Sequence, residues 1–458
     1  MNRGGRNAAD RDPGLWTQDW SDTSYWLDGL SPPDVPQVDL PPTVDVLIVG
    51  SGYTGLNAAI ETARGGRSTL VVEAETPGWG CSSRNGGQVG TGIKPSLAKL
   101  TSRHGAKRAK AIRAEGDGAL QWIEDRITAE NISCDFQRSG RVHAAHTPQA
   151  YEVLAREADL LRRTENTDVE MISRAEQRSE LGTDAYHGAA VFAAHGALDP
   201  ARYMRGLLQT ALNAGVQVLA QTRVLDIASG PQGHEVRTSR GLVRAREVIV
   251  ATNGYTVGAT PWHQRRVIPI GSYVIATEPL DPALIDRLFP TGRVVTDTCK
   301  VIYYYRPSPD RRRVLFGGRV SAGETDPAVS GPRLHKVMCQ IFPELRATRI
   351  SHSWSGTVAY TFDELAHTGT HDGVHYAMGY CGSGVAMSSY LGMRMGQKVL
   401  GLAEGRTAFD DLPFPTRPLY TGRPWFLPAA VAWYRWRDGQ QRKRAGQGAR
   451  DRAEPAQA

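Results

Sequence analysis

The sequence VDVLIVGSGYTGLNAAIETARGGRSTLVVEAE, from Val44 to Glu75, places a glycine-rich turn between two apolar runs and ends on acidic residues. Val44–Val49 has the continuous apolar pattern of a strand that is buried on both faces of a parallel sheet. The following helix stops at Gly65-Gly66, and a second buried strand, Leu70–Val72, ends on Glu73. The pattern therefore predicts a strand–helix–strand unit of an α/β fold.

The glycines of the turn have the G-x-G-x-x-G spacing of a dinucleotide-binding site. Gly50 permits the tight turn, Gly52 lets the backbone approach a pyrophosphate, and Gly55 lets helix and strand pack closely. Glu73 follows at the expected distance, where its carboxylate accepts hydrogen bonds from ribose hydroxyls and repels a 2′-phosphate. The turn therefore predicts a dinucleotide other than NADP and leaves the choice between NAD and FAD open.

Composition predicts a soluble globular protein with more than one domain. The chain has 458 residues, of which 40% are hydrophobic and 22% charged, and its five cysteines show neither metal-ligand nor disulfide spacing. We expect a cytoplasmic protein, since no apolar run is long enough to span a bilayer and the N-terminus is polar. Part of the net charge of +7 lies in the last residues, 437–458, predicted to be a disordered basic tail. Nucleic-acid binding is not indicated.

A second glycine-rich loop, GWGCSSRNGGQVGTG at residues 78–92, suits backbone amides packed against a flat ring or a phosphate. Its segment from Ser83 to Gln88 resembles one that lies against FAD in the D-amino-acid oxidase and sarcosine oxidase superfamily of flavoproteins. The resemblance continues in order through TRVLDI, REVIVATNGY and GVHYAMGYCGSGVAMSSYLGMRMGQ. Within the superfamily, the lead-in SYW and the segments YRPSPD and LFGGR are most similar to the gamma-glutamylputrescine oxidase branch.

The resemblance implies FAD rather than NAD as the cofactor. It also implies that a helix after the last glycine turn abuts the flavin, where its dipole would stabilise the negative charge of the reduced ring. Together with the first turn, it gives these predicted cofactor contacts: Gly50, Gly52, Tyr53, Thr54, Gly55, Glu73, Ser83, Arg84, Asn85, Gly86, Gly87, Gln88, Val224, Gly254, Gly382, Ser383, Gly384 and Val385.

The predicted architecture is an α/β fold in which a discontinuous, Rossmann-like FAD-binding domain is interleaved with a mixed-sheet α+β substrate domain. The FAD-binding domain is expected over 40–130, 196–261 and 351–436, and the substrate domain over 131–195 and 262–350. Residues 1–39 are expected to be a partly disordered lead-in. WFLPAAVAWYRW, residues 425–436, is interpreted as a C-terminal helix docked on the FAD-binding domain, with a membrane-surface helix as the alternative.

The implied reaction is hydride transfer to flavin N5 from a carbon that bears an amine, which gives an imine that water hydrolyses. An ammonium cannot release that hydride, so the substrate nitrogen must be neutral, and no general base is proposed. Val358 aligns with the arginine that pairs with the substrate carboxylate in amino-acid oxidising members, so we expect an amine without an adjacent carboxylate. Gly356 aligns with the cysteine joined to FAD in sarcosine oxidases, which implies noncovalent FAD.

The substrate cavity is predicted between the domains, over the flavin. In KVIYYYRPSPD, alternation places Tyr303 and Tyr305 on one face of a strand and Tyr304 and Arg306 on the other. Tyr303, Tyr305 and Trp354 are the candidate cavity residues, for which core packing is the competing interpretation. No metal site is expected, because glycines interrupt the three regularly spaced histidines of HTGTHDGVH.

The expected partners are a small amine and O2, with H2O2 as product. Leu315 stands where sarcosine oxidases have a lysine that aids the reaction with oxygen, which leaves the electron acceptor open. Two alternatives therefore remain. One is a dehydrogenase that passes electrons to another carrier, and the other is a flavin-binding protein whose basic tail serves a partner. The oligomeric state is not indicated.

Overall fold

The structure is a computed structural model and describes residues 14–318 and 325–450. Its strands are Trp16–Ser21 (β1), Thr43–Val49 (β2), Thr69–Val72 (β3), Gln88–Val89 (β4), Arg141–Ala144 (β5), Val169–Ile172 (β6), Ala189–Phe192 (β7), Gly196–Ala197 (β8), Gln217–Leu219 (β9), Val224–Gly230 (β10), Gly233–Thr238 (β11), Gly241–Val250 (β12), Ile268–Thr277 (β13), Val294–Asp297 (β14), Tyr303–Pro307 (β15), Val314–Gly318 (β16), Ile350–Tyr360 (β17), His367–His371 (β18) and Val374–Met378 (β19). Its α-helices are Tyr53–Arg64 (α1), Leu97–Ala129 (α2), Pro148–Glu165 (α3), Pro200–Asn213 (α4), Pro261–Gln264 (α5), Pro282–Leu288 (α6), Pro327–Ile341 (α7), Gly384–Val399 (α8) and Leu427–Arg450 (α9).

The first sheet contains the predicted strand–helix–strand unit. Its strand order is β10-β11-β12-β2-β3-β9, with the β18–β19 hairpin attached through β19 to β12. β2 pairs in parallel with β3 and β12. Val46 and Ile48 enter one core while Val44 and Leu47 enter another, so the strand is covered on both faces. That double burial explains its continuous apolar sequence.

The second sheet is mixed and is the central sheet of the second domain, the one predicted to bind substrate. Its order is β1-β17-β13-β16-β15-β14-β5-β7-β6. β17 pairs with β13 along its whole length, from Ile350 to Tyr360, whereas the sequence had assigned residues from 351 onward to the FAD-binding domain. The predicted combination of an α/β sheet with a mixed-sheet domain is confirmed, while this one strand lies in the other sheet.

The lead-in belongs to the folded structure from residue 14 onward. β1 pairs in parallel with β17, and Trp26 is buried with its indole Nε1 donating to the carbonyl oxygen of Asn85 at 2.8 Å. The lead-in therefore packs against the glycine-rich loop 78–92. Residues 1–13, the rest of the segment predicted to be partly disordered, lie outside the described residues.

The prediction of a disordered tail is wrong for residues 437–450, which continue helix α9. The buried Asp438 carboxylate accepts hydrogen bonds from the backbone N–H groups of Lys300 (3.2 Å) and Val301 (3.1 Å). Gln441 lies 3.2 Å from His146 Nε2. These partners belong to the mixed-sheet domain, and Leu427 packs on Ile268 and Ile270 of the same sheet, so the predicted docking of this helix on the FAD-binding domain is wrong. Residues 451–458 lie outside the described residues.

Candidate active site

A cavity of about 840 Å³ runs from the carboxyl ends of β2 and β3 to one face of the mixed sheet. The carboxyl ends of parallel strands are the usual place for a nucleotide in an open α/β sheet. The volume lies in the range of cofactor and ligand sites. The cavity draws residues from both domains, as the sequence predicted.

The first glycine turn has the geometry that its spacing predicts. Gly50 has a φ of +101°, a conformation that side-chain-bearing residues rarely adopt. A Cβ at Gly55 would collide with the carbonyl oxygen of Gly50, so this glycine sets the packing of α1 on β2. Gly52 caps α1 without a side-chain hydrogen bond, which leaves the helix N-terminus directed at the cavity.

Glu73 lies at the end of β3, facing this turn. Its Oε2 accepts hydrogen bonds from Ser51 N–H (3.0 Å) and Ser51 Oγ (2.7 Å), and its Oε1 accepts one from Glu75 N–H (3.0 Å). The carboxylate is thereby held against the turn at the edge of the cavity. That is the place a ribose-binding acid occupies in dinucleotide sites.

The second glycine-rich loop is held together by its own polar side chains. Asn85 Oδ1 accepts from Gly87 N–H at 2.8 Å, and Asn85 Nδ2 donates to the carbonyl oxygens of Cys81 (3.1 Å) and Ser82 (3.2 Å). Ser82 Oγ accepts from Tyr53 N–H at 3.1 Å, which ties this loop to the start of α1. Ser82 lines the cavity and was missed by the sequence analysis, which singled out its neighbour Ser83.

Most of the predicted cofactor contacts line the cavity: Gly50, Gly52, Tyr53, Thr54, Glu73, Arg84, Asn85, Gly86, Gln88, Val224, Gly254, Gly382, Ser383, Gly384 and Val385. Gly55, Ser83 and Gly87 do not. Gly55 is a packing position, the backbone of Ser83 accepts a hydrogen bond from Ser24 Oγ, and Gly87 has a φ of +66° that the turn of the loop requires.

The last glycine turn brings a second helix N-terminus to the cavity. Gly379, Cys381 and Gly382 have φ values of +84°, +54° and +81°, and α8 begins after Ser383 without a side-chain cap. Gly392 lets α8 pack on the backbone of Thr54 in α1. Two helix N-termini, neither capped by the side chain of its own N-cap residue, therefore face one cavity, an arrangement that favours negative charge there.

The face of β15 that lines the cavity is the opposite of the one predicted. Tyr304 lines it, and its hydroxyl lies 2.9 Å from Ser272 Oγ. Tyr305 is buried in the core of the mixed-sheet domain, where its hydroxyl donates to Tyr186 at 3.1 Å, and Tyr303 packs against the same core. Alternation along β15 puts Tyr304 on the face opposite to that of Tyr303 and Tyr305, and Tyr304 is the residue of this strand that lines the cavity.

Trp354 is also a core residue. It is fully buried, packs with Val274 and Leu315, and its indole Nε1 donates to the carbonyl oxygen of Arg84 at 2.9 Å. It thus supports the glycine-rich loop from behind. The predicted position of Trp354, Tyr303 and Tyr305 on the cavity wall is therefore wrong.

The cavity contains polar residues that the sequence analysis did not single out, namely Lys94, Arg141 and His195. Arg141 begins β5, and burial lowers the pKa of its guanidinium to about 10. Burial, with Arg141 nearby, lowers the pKa of His195 well below its ordinary value, so its ring is neutral. The arginine within the strand segment GRVHAA is the sequence signal that could have indicated such a site, because a strand in a sheet core rarely carries a charge.

The residues present fit FAD. Gly50, Gly52 and the N-terminus of α1 would hold the pyrophosphate, Glu73 the ribose, and the N-terminus of α8 the ring. Gly356 lines the cavity and offers no side chain for a covalent link. The Cys81 thiol lies beside Gly356, and burial raises its pKa to about 11, so it stays protonated and unreactive.

A dinucleotide cradle that opens onto a chamber of a second domain defines the class as a dinucleotide-dependent oxidoreductase. The chain belongs to the DAO family, described as "FAD dependent oxidoreductase", which it matches over residues 45–398. Its cofactor is therefore FAD.

Relatives cover nearly the same length. The chain is 30% identical over 399 residues to gamma-glutamylputrescine oxidoreductase of Escherichia coli, covering 86% of this chain and 93% of that protein. It is 29% identical to the probable oxidoreductase OrdL of Haemophilus influenzae, covering 87% and 93%. The crystal structure of glycine oxidase from Geobacillus kaustophilus has the same fold, with a TM-score of 0.68 and 21% identity over 82% of this chain and 99% of that one.

Among residues 14–318 and 325–450, no helix has the length and apolar character needed to cross a membrane. Within the same ranges, no cluster of three or more histidine, cysteine or acidic side chains has the arrangement of a metal site. The three spaced histidines lie on the β18–β19 hairpin, where His367 contacts Asp363 and His375 contacts Glu247. The interpretation of this segment as a turn between strands is confirmed.

Proposed function

We propose that this FAD-dependent oxidoreductase oxidises a C–N bond in a small amine that carries no carboxylate next to the reacting carbon. The observation that carries the proposal is Val358, which lines the cavity where amino-acid oxidising relatives are expected to have an arginine. A valine side chain cannot pair with a carboxylate. The similarity to gamma-glutamylputrescine oxidoreductase supports the same substrate class.

The charges of the cavity favour an amine that reacts in its neutral form. The carboxylates among the described lining residues are Glu73 and Glu75, and both lie at the dinucleotide end. The described part of the chamber thus offers no carboxylate to hold an ammonium, while Lys94 and Arg141 are cations. Burial and nearby positive charge both lower the pKa of a bound amine.

When bound, FAD supplies the acceptor for a hydride from the amine-bearing carbon. Loss of that hydride and of the proton on nitrogen leaves an imine, which water cleaves to a carbonyl compound and ammonia or a shorter amine. The two electrons and two protons taken from the amine leave with O2, as H2O2, or with another carrier in the dehydrogenase alternative. Leu315 is buried behind Trp354 and does not line the cavity, so the position offers no cation to the oxygen reaction.

The test is anaerobic bleaching of the holoenzyme by a panel of amines and α-amino acids. We expect gamma-glutamylputrescine or a related amine to bleach the flavin, and α-amino acids such as glycine and alanine not to. Prompt bleaching by α-amino acids alone would refute the proposal. H2O2 formation at the rate of turnover in air then separates an oxidase from a dehydrogenase, which would turn over only with an added dye or quinone.

A further inference from the structure

The cations of the cavity fall into two groups. At the dinucleotide end Arg223 pairs with Glu75 at 3.1 Å, and Arg84 donates to the carbonyl oxygens of Trp79 (2.7 Å) and Ser355 (3.3 Å). Lys94 and Arg141 make no hydrogen bond or ion pair with any described residue. Both cations line the cavity, and neither has a counter-ion in direct contact within residues 14–318 and 325–450.

The surroundings of Arg141 give the stronger indication of a ligand site. Its guanidinium stacks on the ring of Phe192, with 4.8 Å from Cζ to the ring centre, and its Nε is buried without a hydrogen-bond partner. Glu157 is the carboxylate that acts on it electrostatically, and it lies on an exposed position of α3 without a direct contact. Arg141 is half-buried, and a buried Nε without a partner among the described residues costs free energy that a ligand in the cavity would offset.

The sheet register directs Arg141 to the cavity. On β5, Arg141 and His143 alternate with buried apolar residues. His143 is paired with Thr296 of β14, and Thr296 is paired in turn with Tyr304 of β15. Both Thr296 and Tyr304 line the cavity. Arg141 therefore shares the cavity face of the sheet with Thr296 and Tyr304. Its stacking on Phe192 fixes the plane of the guanidinium, which suits bidentate pairing with a carboxylate.

Lys94 approaches the same chamber from the FAD-binding domain. Its Nζ lies 5.7 Å from the ring centre of Tyr360, at the end of β17. Lys94 and Arg141 both contribute to lowering the pKa of His143, which places both within electrostatic range of one side chain. Lys94 also acts on Cys381, in the turn before α8. The two cations thus lie at opposite ends of a chamber that extends from the last glycine turn to β5.

We propose that Arg141 and Lys94 bind a carboxylate of the substrate that is separated by several bonds from the oxidised C–N bond. The inference rests on the proposed amine oxidation and specifies its substrate class as amines with a distant acid group. Val358 and Arg141 then have complementary roles, since one excludes a carboxylate beside the reacting carbon and the other binds it at the far end. Neutral His195 borders the same chamber with an unpartnered Nδ1 and adds no competing charge.

The experiment compares two amines that differ only in the far group: N-glutarylputrescine, which ends in a carboxylate, and N-pentanoylputrescine, which ends in a methyl group. For the wild-type holoenzyme we expect kcat/KM to be at least about tenfold higher for the acid, the discrimination of one charged hydrogen-bonded contact. Arg141→Gln should lower the acid's kcat/KM by about tenfold to a hundredfold and leave that of the methyl compound within about twofold. Arg141→Lys should recover part of the loss, and Lys94→Gln should give a smaller one.

Arg156→Gln is the matched control, because it removes an exposed arginine of α3. It should change the kcat/KM of neither amine. Calorimetric titration with glutarate and with 1,5-pentanediol gives a readout that needs no turnover. We expect glutarate alone to bind, and its binding to be lost in Arg141→Gln. Flavin content and thermal unfolding of each variant identify any that misfold. If Arg141→Gln misfolds, the kcat/KM values and glutarate binding of Arg141→Lys and Lys94→Gln test the proposal instead.

Equal kcat/KM for the two amines, or glutarate binding that Arg141→Gln leaves unchanged, would overturn the inference while amine oxidation stands. Failure of both amines to bleach the flavin would instead count against the proposed reaction. Glutarate binding that depends on Arg141 would still support the anion site in that event, so the two failures are distinguishable.

Discussion

Gly55 shows how one absent side chain sets the distance between α1 and β2. A Cβ there would meet the carbonyl oxygen of Gly50 and the Cγ2 of Ile48, both in the tightly packed turn. We expect Gly55→Ala to lower the free energy of unfolding by about 1–3 kcal/mol and to weaken FAD binding, because helix and turn must separate. Chemical denaturation and FAD titration measure the two effects.

Gly118→Ala is the control, because this glycine lies inside α2, where an added Cβ would have no neighbour within 4 Å. There the added methyl group should stabilise the protein by about 0.5–1 kcal/mol, since alanine is the better helix former. If both substitutions have the same effect, the role assigned to Gly55 is incorrect.

Asp297 makes the stability of the protein depend on pH, and the sign of this dependence follows from the burial of its carboxyl group. The side chain is almost fully buried, and this desolvation raises its pKa from 3.8 to about 6, although it accepts hydrogen bonds from Cys299 and Tyr303 N–H. Between these two pKa values the native state binds more protons than the unfolded state, so stability falls as pH rises from about 4 to 6 and is level above that. The wild-type protein should lose about 2–3 kcal/mol across this window relative to Asp297→Asn.

Urea unfolding of both proteins at several pH values checks this expectation. The side-chain amide oxygen introduced by Asp297→Asn can still accept the two backbone hydrogen bonds, so the comparison isolates the charge. Parallel pH profiles of the two proteins would mean that Asp297 titrates normally, with Arg442, 3.9 Å away, compensating for its burial.

At the scale of elements, the apolar contacts of α9 are confined to its start, at Leu427 and Val431, and a carboxylate holds its middle. Trp433 and Trp436 are each 57% exposed, whereas Asp438 is buried on the N–H groups of Lys300 and Val301. We expect Asp438→Ala to release the helix, since two buried donors lose their acceptor. Hydrogen exchange over residues 427–443 and trypsin cleavage after Arg442 should both become faster.

Arg437→Ala changes the exposed neighbour of Asp438 and should leave both rates as they are in the wild type. Faster exchange in both variants would show that the helix is only marginally formed. Exchange unchanged in Asp438→Ala would show that other contacts, such as that between Arg442 and Cys299, hold it.

The elements also differ in how far the sequence predicts them. β2, α1 and β3 were predicted within one or two residues, because apolar runs and glycine stops are local signals. For β15, alternation showed which tyrosines share a face, but the face toward the cavity depends on pairing with β14 and β16, which is not local. α9 has little apolar content, so composition predicted disorder, while its stability comes from contacts with residues about 140 positions away.

For the whole molecule, the cavity joins residues that lie far apart in the sequence, and this limits what the sequence predicts. The cofactor contacts follow local motifs and most of them line the cavity. Lys94, Arg141 and His195 lie in three segments without a shared motif, and only the packing of the two sheets brings them to one chamber. The residues that we propose for substrate recognition therefore could not be predicted from spacing, whereas most of the residues proposed to hold the cofactor could.

The charge of this chamber predicts the pH dependence of catalysis. With Lys94 and Arg141 as its cations and no carboxylate among its described lining residues, the chamber should select the neutral amine from solution. We expect kcat/KM for N-glutarylputrescine to rise tenfold per pH unit below the pKa of the free amine, while the rate of flavin bleaching at saturation levels off at lower pH. Stopped-flow measurement of bleaching between pH 6 and 10 tests both expectations.

In Lys94→Gln and Arg141→Gln the saturated rate of flavin bleaching should level off at higher pH, because the bound amine loses a cation that favours its neutral form. A saturated profile that is identical in both variants would mean that neither cation acts on the bound nitrogen, and desolvation alone would then have to keep it neutral.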